Sequence, residues 1–417
     1  MFSKEVLDSH KSPLNLRDLM AALQNKAYFN YGGQGPLPQS SLKAITKSWE
    51  KIQSLGPFTN NVWPYIADEI ESTKILLSKI CGVSKHRIAL TENVTSGCVL
   101  PLWGLPLSKS HRILISDCEH PGVVAACKEL AKRKDLSIDI LHVQHLRVGL
   151  NEANRTTEFL LKEIDKSIHE KTKLVVLSHL LWNTGQIMPI EAIANKLKVH
   201  SLKPFLLVDA AQSFGQIPVS PAADLADIYA FTGHKWACGP EGLGAVVVSE
   251  RVLKESTPTL IGWKSLEEEK GIYDDNLSPF HKDARRFEIA TSCIPLLAGL
   301  RCSLELLEAE GSEKDRLKKI QNFSKLLWCS LNEIEGVETI LKGPPPAGLV
   351  SFTPKTSQSP TFILRQLGRK NLFVRVLEDP PWLRACLHVT SIEKEIMDLA
   401  IALKELMSST KSNNSHF

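Results

Sequence analysis

Short apolar runs alternate along this chain with longer stretches whose apolar positions recur every three to four residues. The runs Arg112-Ile-Leu-Ile-Ser-Asp117, Lys173-Leu-Val-Val-Leu-Ser178, Phe205-Leu-Leu-Val208, Ile228-Tyr-Ala-Phe231 and Ala245-Val-Val-Val248 have the length and β-branched content of buried strands. Residues 66–81 carry Ile66, Ile70, Leu76, Leu77 and Ile80 at helical spacing, and 123–132 and 190–199 read the same way. Strands alternating with helices predict an α/β fold, with a mostly parallel sheet covered on both faces.

The pattern changes after a polar, turn-like run at 273–282. Helices are expected at 294–309, 315–334 and 392–406, and strands at 349–352 and 372–375, which together suggest a smaller α+β domain. The resulting division is an N-terminal arm (1–26), a large domain (27–285), a small C-terminal domain (286–407) and a disordered tail (408–417).

Composition narrows the class. With 417 residues, 43% apolar and 23% charged, the chain suits a globular protein of one large and one smaller domain. A net charge of +4 from 50 basic and 46 acidic residues gives no reason to expect nucleic acid or a membrane surface as partner. No apolar run approaches the roughly 20 residues that span a bilayer. The first ten residues mix charges with apolar side chains and lack a secretory h-region, so a cytoplasmic protein is expected. Nine scattered cysteines without a C-x-x-C pair point away from a disulfide framework or a metal site.

The candidate chemistry clusters just past the apolar runs. Thr232-Gly-His-Lys235-Trp follows 228–231 and leads into the turn Gly239-Pro-Glu-Gly-Leu-Gly244. A lysine amine there can condense with an aldehyde such as pyridoxal phosphate (PLP), although an isolated lysine in a loop needs no such role. Asp209 closes the run 205–208, where it can pair with a pyridinium nitrogen or simply cap a helix. Gln212, three residues on, can donate to the ring's phenolic oxygen or remain a surface amide. Thr95, Ser96 and Gly97 stand where a helix N-terminus could hold a phosphate, with Thr232 and His234 adding contacts; an N-cap without ligand is the plainer account of that segment. His120, in Ser116-Asp-Cys-Glu-His-Pro-Gly122, could stack on a ring or shuttle a proton. Arg375 and Arg384 are candidates for a substrate carboxylate, with an ion pair to Glu378 or Asp379 the alternative for Arg375.

Several longer stretches carry a resemblance: Tyr28-Phe-Asn-Tyr-Gly-Gly-Gln-Gly35, Asp117-Cys-Glu-His-Pro-Gly122, Leu177-Ser-His-Leu-Leu-Trp-Asn-Thr-Gly-Gln186, Ala230-Phe-Thr-Gly-His-Lys-Trp236 and Arg286-Phe-Glu-Ile-Ala-Thr-Ser292. With them the chain resembles the class V, fold-type I PLP enzymes, the group of the cysteine desulfurases, and within it the cystine C–S lyases. The resemblance implies a PLP-dependent transferase fold with a seven-stranded sheet. It implies that Lys235 holds PLP and moves a proton, that Asp209 faces the ring nitrogen, and that His120 stacks over the ring. Asn183 and Gln212 would serve the phenolic oxygen. Thr95, Ser96, Gly97, Thr232 and His234 would hold the phosphate, with Thr291 reaching in from a second subunit of a homodimer. Arg384 would bind the substrate carboxylate, and Arg375, Trp263, Gly33 and Gln34 would line the rest of the substrate pocket.

One departure bears on the reaction. Desulfurases carry a nucleophilic cysteine on a loop before the carboxylate-binding arginine, whereas none of the eight residues between Arg375 and Arg384 is cysteine. The expectation is therefore β-elimination from cystine or cysteine, yielding pyruvate, ammonia and a persulfide or sulfide. Such a product could feed iron–sulfur cluster assembly through an acceptor protein. The alternatives are a desulfurase that uses Cys293, a class V aminotransferase or epimerase, and a catalytically silent binding protein.

Overall fold

The protein is described here by a computed structural model covering residues 15–268 and 280–414. Most of the polar run at 273–282 lies outside the described residues, as do residues 1–14 and 415–417. The strands in chain order are β1 (Ala27–Tyr28), β2 (Ile88–Thr91), β3 (Arg112–Ser116), β4 (Ser137–Leu141), β5 (Thr172–Ser178), β6 (Phe205–Asp209), β7 (Ile228–Thr232), β8 (Gly244–Val248), β9 (Val337–Thr339), β10 (Leu349–Pro354), β11 (Leu372–Phe373), β12 (Arg375–Val376) and β13 (Leu383–Cys386).

Seven strands form the main sheet in the order β2-β8-β7-β6-β5-β3-β4. β8 is antiparallel to both its neighbours, and the remaining pairs are parallel. Because successive side chains in a strand face opposite sides, each central strand feeds two cores. Leu114, Val175, Leu177, Leu206, Val208, Tyr229 and Phe231 pack on one face. Ile113, Ile115, Leu174, Val176, Phe205, Leu207 and Ala230 pack on the other. The continuous apolar runs in the sequence reflect this double burial.

A four-stranded antiparallel sheet, β12-β13-β10-β9, builds the C-terminal part. The expected single strand at 372–375 is two strands. Leu372 and Phe373 pair in parallel with Ala27 and Tyr28, while Arg375 and Val376 pair with β13. A partner some 345 residues earlier in the chain takes the first half, and local pattern cannot show that.

Two boundaries differ from the sequence reading. Helix Pro295–Ala309 sends Leu297, Leu300, Leu304 and Leu307 into the core of the large sheet, whereas Ala27 and Phe29 join the C-terminal core. The packing therefore does not divide at 285/286. The last helix, Glu393–Asn414, continues past 407, where a disordered tail was expected. Helix Gln39–Leu55 escapes the hydrophobic pattern because its buried residues are Ser41, Ser48 and Ile52, two of them polar.

The segment before Thr291 is tied to β2. Glu288 Oε1 accepts Lys74 Nζ at 2.7 Å and the Leu90 N–H at 3.0 Å, and both charged side chains are nearly buried. Glu288→Ala leaves an unpaired buried ammonium and an orphaned amide. It should lower the unfolding free energy by about 3 kcal/mol in urea titrations; a loss under about 0.5 kcal/mol would mean that the pair is well solvated.

Candidate active site

Neighbouring parallel strands β3, β5, β6 and β7 end at one edge of the sheet, and ligands of open α/β sheets bind beyond that edge. Each of these strand ends delivers one of the candidate side chains. His120 follows β3, Asn183 follows β5, Asp209 ends β6, and Lys235 stands just after β7.

Lys235 lies in a tight turn in which Gly239 N–H reaches Gly233 O (2.8 Å) and Cys238 N–H reaches Lys235 O (3.1 Å). From the other side Gly35 N–H donates to His234 O at 2.8 Å. A Cβ on Gly35 would fall 2.2 Å from Lys235 O, so only glycine permits this approach. The Lys235 amine makes no hydrogen bond or ion pair among the described residues. Its pKa is lowered from 10.5 to about 8: burial lowers it most, the Asp209 carboxylate raises it, and the Arg384 guanidinium lowers it further.

Asp209 is buried, and its Oδ1 accepts the Ala211 N–H at 2.8 Å. Burial raises its pKa, opposed by that amide and by the positive charges of Lys235 and His120. His120 caps helix Pro121–Lys134, its Nδ1 accepting the Gly122 N–H at 3.2 Å, and its ring stands edge-on to Trp182 with centroids 6.0 Å apart. Burial and then the Lys235 charge lower its pKa, and the Asp209 charge pulls the other way.

Arg384 is 3% exposed. Its Nη1 donates to Trp182 O at 2.6 Å, while its Nε is buried without a partner. Gly32 leaves room for this guanidinium, since a Cβ there would lie 2.7 Å from Nη2. Arg375, directly opposite Arg384 in the β12–β13 pair, is exposed and forms no ion pair with Glu378 or Asp379.

Other expected residues have more structural work than the sequence suggests. The Gln212 side chain bridges Gly32 O (2.9 Å, through Nε2) and the Trp236 indole N–H (2.9 Å, through Oε1), leaving one N–H uncommitted. Asn183 Oδ1 accepts the Thr184 N–H at 2.8 Å. At the start of helix Val94–Trp103, Asn93 caps the Ser96 N–H (2.9 Å) and hydroxyl (3.3 Å), and its backbone carbonyl takes the Gly97 N–H. Thr95 stays exposed beside them. Thr232 Oγ1 and His234 Nδ1 are hydrogen-bonded at 2.7 Å. Gly33 and Gln34 both donate backbone N–H groups to Asn30 O, and the Gln34 amide meets Glu241 at 3.0 Å.

Trp263 and Thr291 are not brought to Lys235 within one chain. They line a separate surface cavity with Phe58, Trp63 and Lys264. Sequence reasoning also passed over Glu119. This buried carboxylate accepts the Ser178 N–H (2.8 Å) and hydroxyl (2.7 Å) and the Ser116 hydroxyl. Burial pushes its pKa up to about 7. Its position next to His120 was the available signal; its partner on β5 was not visible.

The donor set suits PLP. It offers a lysine amine whose pKa is lowered to about 8, a buried carboxylate that feels the charges of that lysine and of His120, and a buried guanidinium whose Nε has no partner. These are the marks of a fold-type I PLP-dependent enzyme. The chain belongs to the aminotransferase class-V family, whose sequence model matches residues 27–376. Among solved structures it is similar to the cystine C–S lyase C-DES in complex with its reaction product cysteine persulfide, at 35% identity and TM-score 0.84, covering 93% of this chain and 99% of that one. It is also similar to a C-DES mutant with glycine covalently linked to the PLP cofactor, at 35% identity, TM-score 0.86 and the same coverage. Among curated proteins, the probable cysteine desulfurase of Pyrococcus abyssi is 24% identical over 420 residues, 96% of this chain and 99% of that protein. No described helix is long and apolar enough to cross a membrane.

The depressed lysine is directly measurable. In cofactor-free protein, acylation of Lys235 should rise with a midpoint near pH 8. Asp209→Asn removes the charge that favours the ammonium and should move that midpoint lower. A midpoint near 10.5 in the parent protein would show a fully solvated amine.

Proposed function

We propose that this protein is a PLP-dependent carbon–sulfur lyase that acts on L-cystine, and on L-cysteine, by β-elimination. The products are pyruvate, ammonia and cysteine persulfide, or sulfide from cysteine. When bound, PLP supplies an aldehyde that condenses with amines and a ring that accepts the electron pair released at the substrate Cα. Lys235 would hold the cofactor, and its neutral Nζ would take the substrate Cα proton. Asp209 would pair with the ring nitrogen and favour its protonated form, and His120 would pack against the ring. Asn183 and the uncommitted Gln212 N–H serve the phenolic oxygen. Thr95, Ser96, Gly97, Thr232 and His234 hold the phosphate, with Thr291 supplied by a second subunit of a homodimer. Arg384 grips the substrate carboxylate with the guanidinium whose Nε lacks a partner. The electron pair left at Cα would form the Cα–Cβ double bond as the Cβ–S bond breaks with its electrons going to sulfur. Water would hydrolyse the resulting aminoacrylate to pyruvate and ammonia. A disulfide substrate helps because a persulfide leaves more readily than a thiolate.

The observation that carries elimination over desulfuration is the state of the thiols. The chain between Arg375 and Arg384 has none. The buried Cys118 and Cys238 have pKa values pushed far up by burial, so neither offers a thiolate near Lys235. Cys386 is buried and its sulfur accepts the Gly32 N–H at 3.3 Å. The names of the cysteine desulfurase relatives favour a second reading, in which exposed Cys293 takes the sulfur and alanine is released. In the elimination reading, the persulfide passes to an acceptor protein of iron–sulfur assembly in the cytoplasm.

Product analysis separates the two readings. With cystine, pyruvate should appear without alanine, and Cys293→Ser should change the rate less than twofold. Lys235→Ala should lower turnover by at least about a thousandfold. Alanine as the main product, lost in Cys293→Ser, would establish the desulfurase instead.

A further inference from the structure

The crevice holding His120, Asn183 and Glu119 opens into a cavity of about 640 Å³. Arg375, Glu378 and Asp379, which are exposed, also line it, as do Lys128 and Gln144. Arg375 and Arg384 are directly opposed in the β12–β13 pair, so their side chains leave the same face of that sheet. One guanidinium is buried and the other exposed. Trp182 lines the same cavity, and its indole N–H is buried and has no partner among the described residues.

The exposed charges are of both signs, and they do not neutralise one another. Arg375, Glu378 and Asp379 form no ion pair among the described residues, although the acids follow the arginine by only three and four positions. Asp117, another acid lining the cavity, is already committed: its Oδ1 accepts the Val143 and Gln144 N–H groups at 2.9 and 3.0 Å, and its Oδ2 lies 3.2 Å from His142 Nδ1. Glu378 and Asp379 also stand on a fixed loop. Leu377 N–H donates to Trp382 O at 2.7 Å, and the Arg147 guanidinium packs over the Trp382 ring at 5.4 Å. A distal carboxylate alone would meet Arg375 but be repelled by two carboxylates. A distal ammonium alone would meet the reverse. A zwitterionic amino-acid head satisfies both.

We propose that Glu378 and Asp379 form an ammonium subsite for the far end of the substrate, so that this cavity selects disulfides carrying an amino-acid head on both halves. This inference rests on the lyase reading above. The acids line the cavity and act on substrate choice, leaving the reacting bonds to Lys235.

The test compares three disulfides on the PLP-loaded enzyme, each with a cysteine half to be cleaved: cystine, the cysteine–cysteamine disulfide and the cysteine–3-mercaptopropionate disulfide. Cystine should exceed the mercaptopropionate compound, which lacks only the distal ammonium, by about tenfold in kcat/KM, the effect of two partly exposed ion pairs. In the double variant Glu378→Gln, Asp379→Asn that ratio should fall to within about twofold of one, and the cysteamine compound should lose as much as cystine does. Equal kcat/KM for all three disulfides in the parent enzyme, or a preference that survives in the double variant, would overturn the subsite alone. Absence of pyruvate from all three would overturn the lyase reading, and the subsite with it.

Discussion

Desolvation of one lysine beside one aspartate is the constraint around which this structure is arranged. Burial moves the Lys235 pKa down to about 8 and raises that of Asp209, and each charge partly restores the other. Neither effect would exist on a surface loop. Both follow from placing the two residues at the ends of adjacent strands whose bodies are buried on both faces. The sheet order thus sets the electrostatics, and the electrostatics set the chemistry.

The back wall of the site is a continuous hydrogen-bonded chain. Burial holds the His388 imidazole neutral, with a pKa of about 3, and its Nε2 lies 3.1 Å from Trp236 O, where only a protonated nitrogen can donate. Its Nδ1 is therefore the acceptor for Thr390 Oγ1 at 3.0 Å, and Tyr31 O–H donates to that same hydroxyl at 2.7 Å. On the other side the Trp236 indole leads through Gln212 to Gly32, against which Arg384 packs. Residues near both ends of the sequence thereby hold the backbone next to Lys235. Buried polar chains of this kind are rigid when every member is satisfied. That rigidity allows an amine without a hydrogen-bond partner to keep its place.

Much of this was legible in the sequence, for a specific reason. A buried parallel strand announces itself as an apolar run, and the residue just beyond it stands at the edge where ligands of such sheets bind; the positions of Asp209, Lys235 and His120 could be found that way. β13 was not visible, because its four residues include the charged Arg384. Glu119 looked like an ordinary motif carboxylate, since its serine partners come from different strands. The Gln212 bridge depends on Gly32, 180 positions away. Resemblance assigns Trp263 to a pocket but not to a subunit, and in one chain it stands with Thr291 on another surface.

The central claim is that Lys235, and no other lysine, carries the cofactor. Borohydride reduction of the PLP-loaded protein, followed by peptide mass mapping, tests it directly. The account predicts a pyridoxyl-phosphate adduct on the peptide containing Lys235, and its loss when Asp209 and Lys235 are separated by unfolding before the cofactor is added. An adduct at a different lysine, or on many lysines equally, would contradict it.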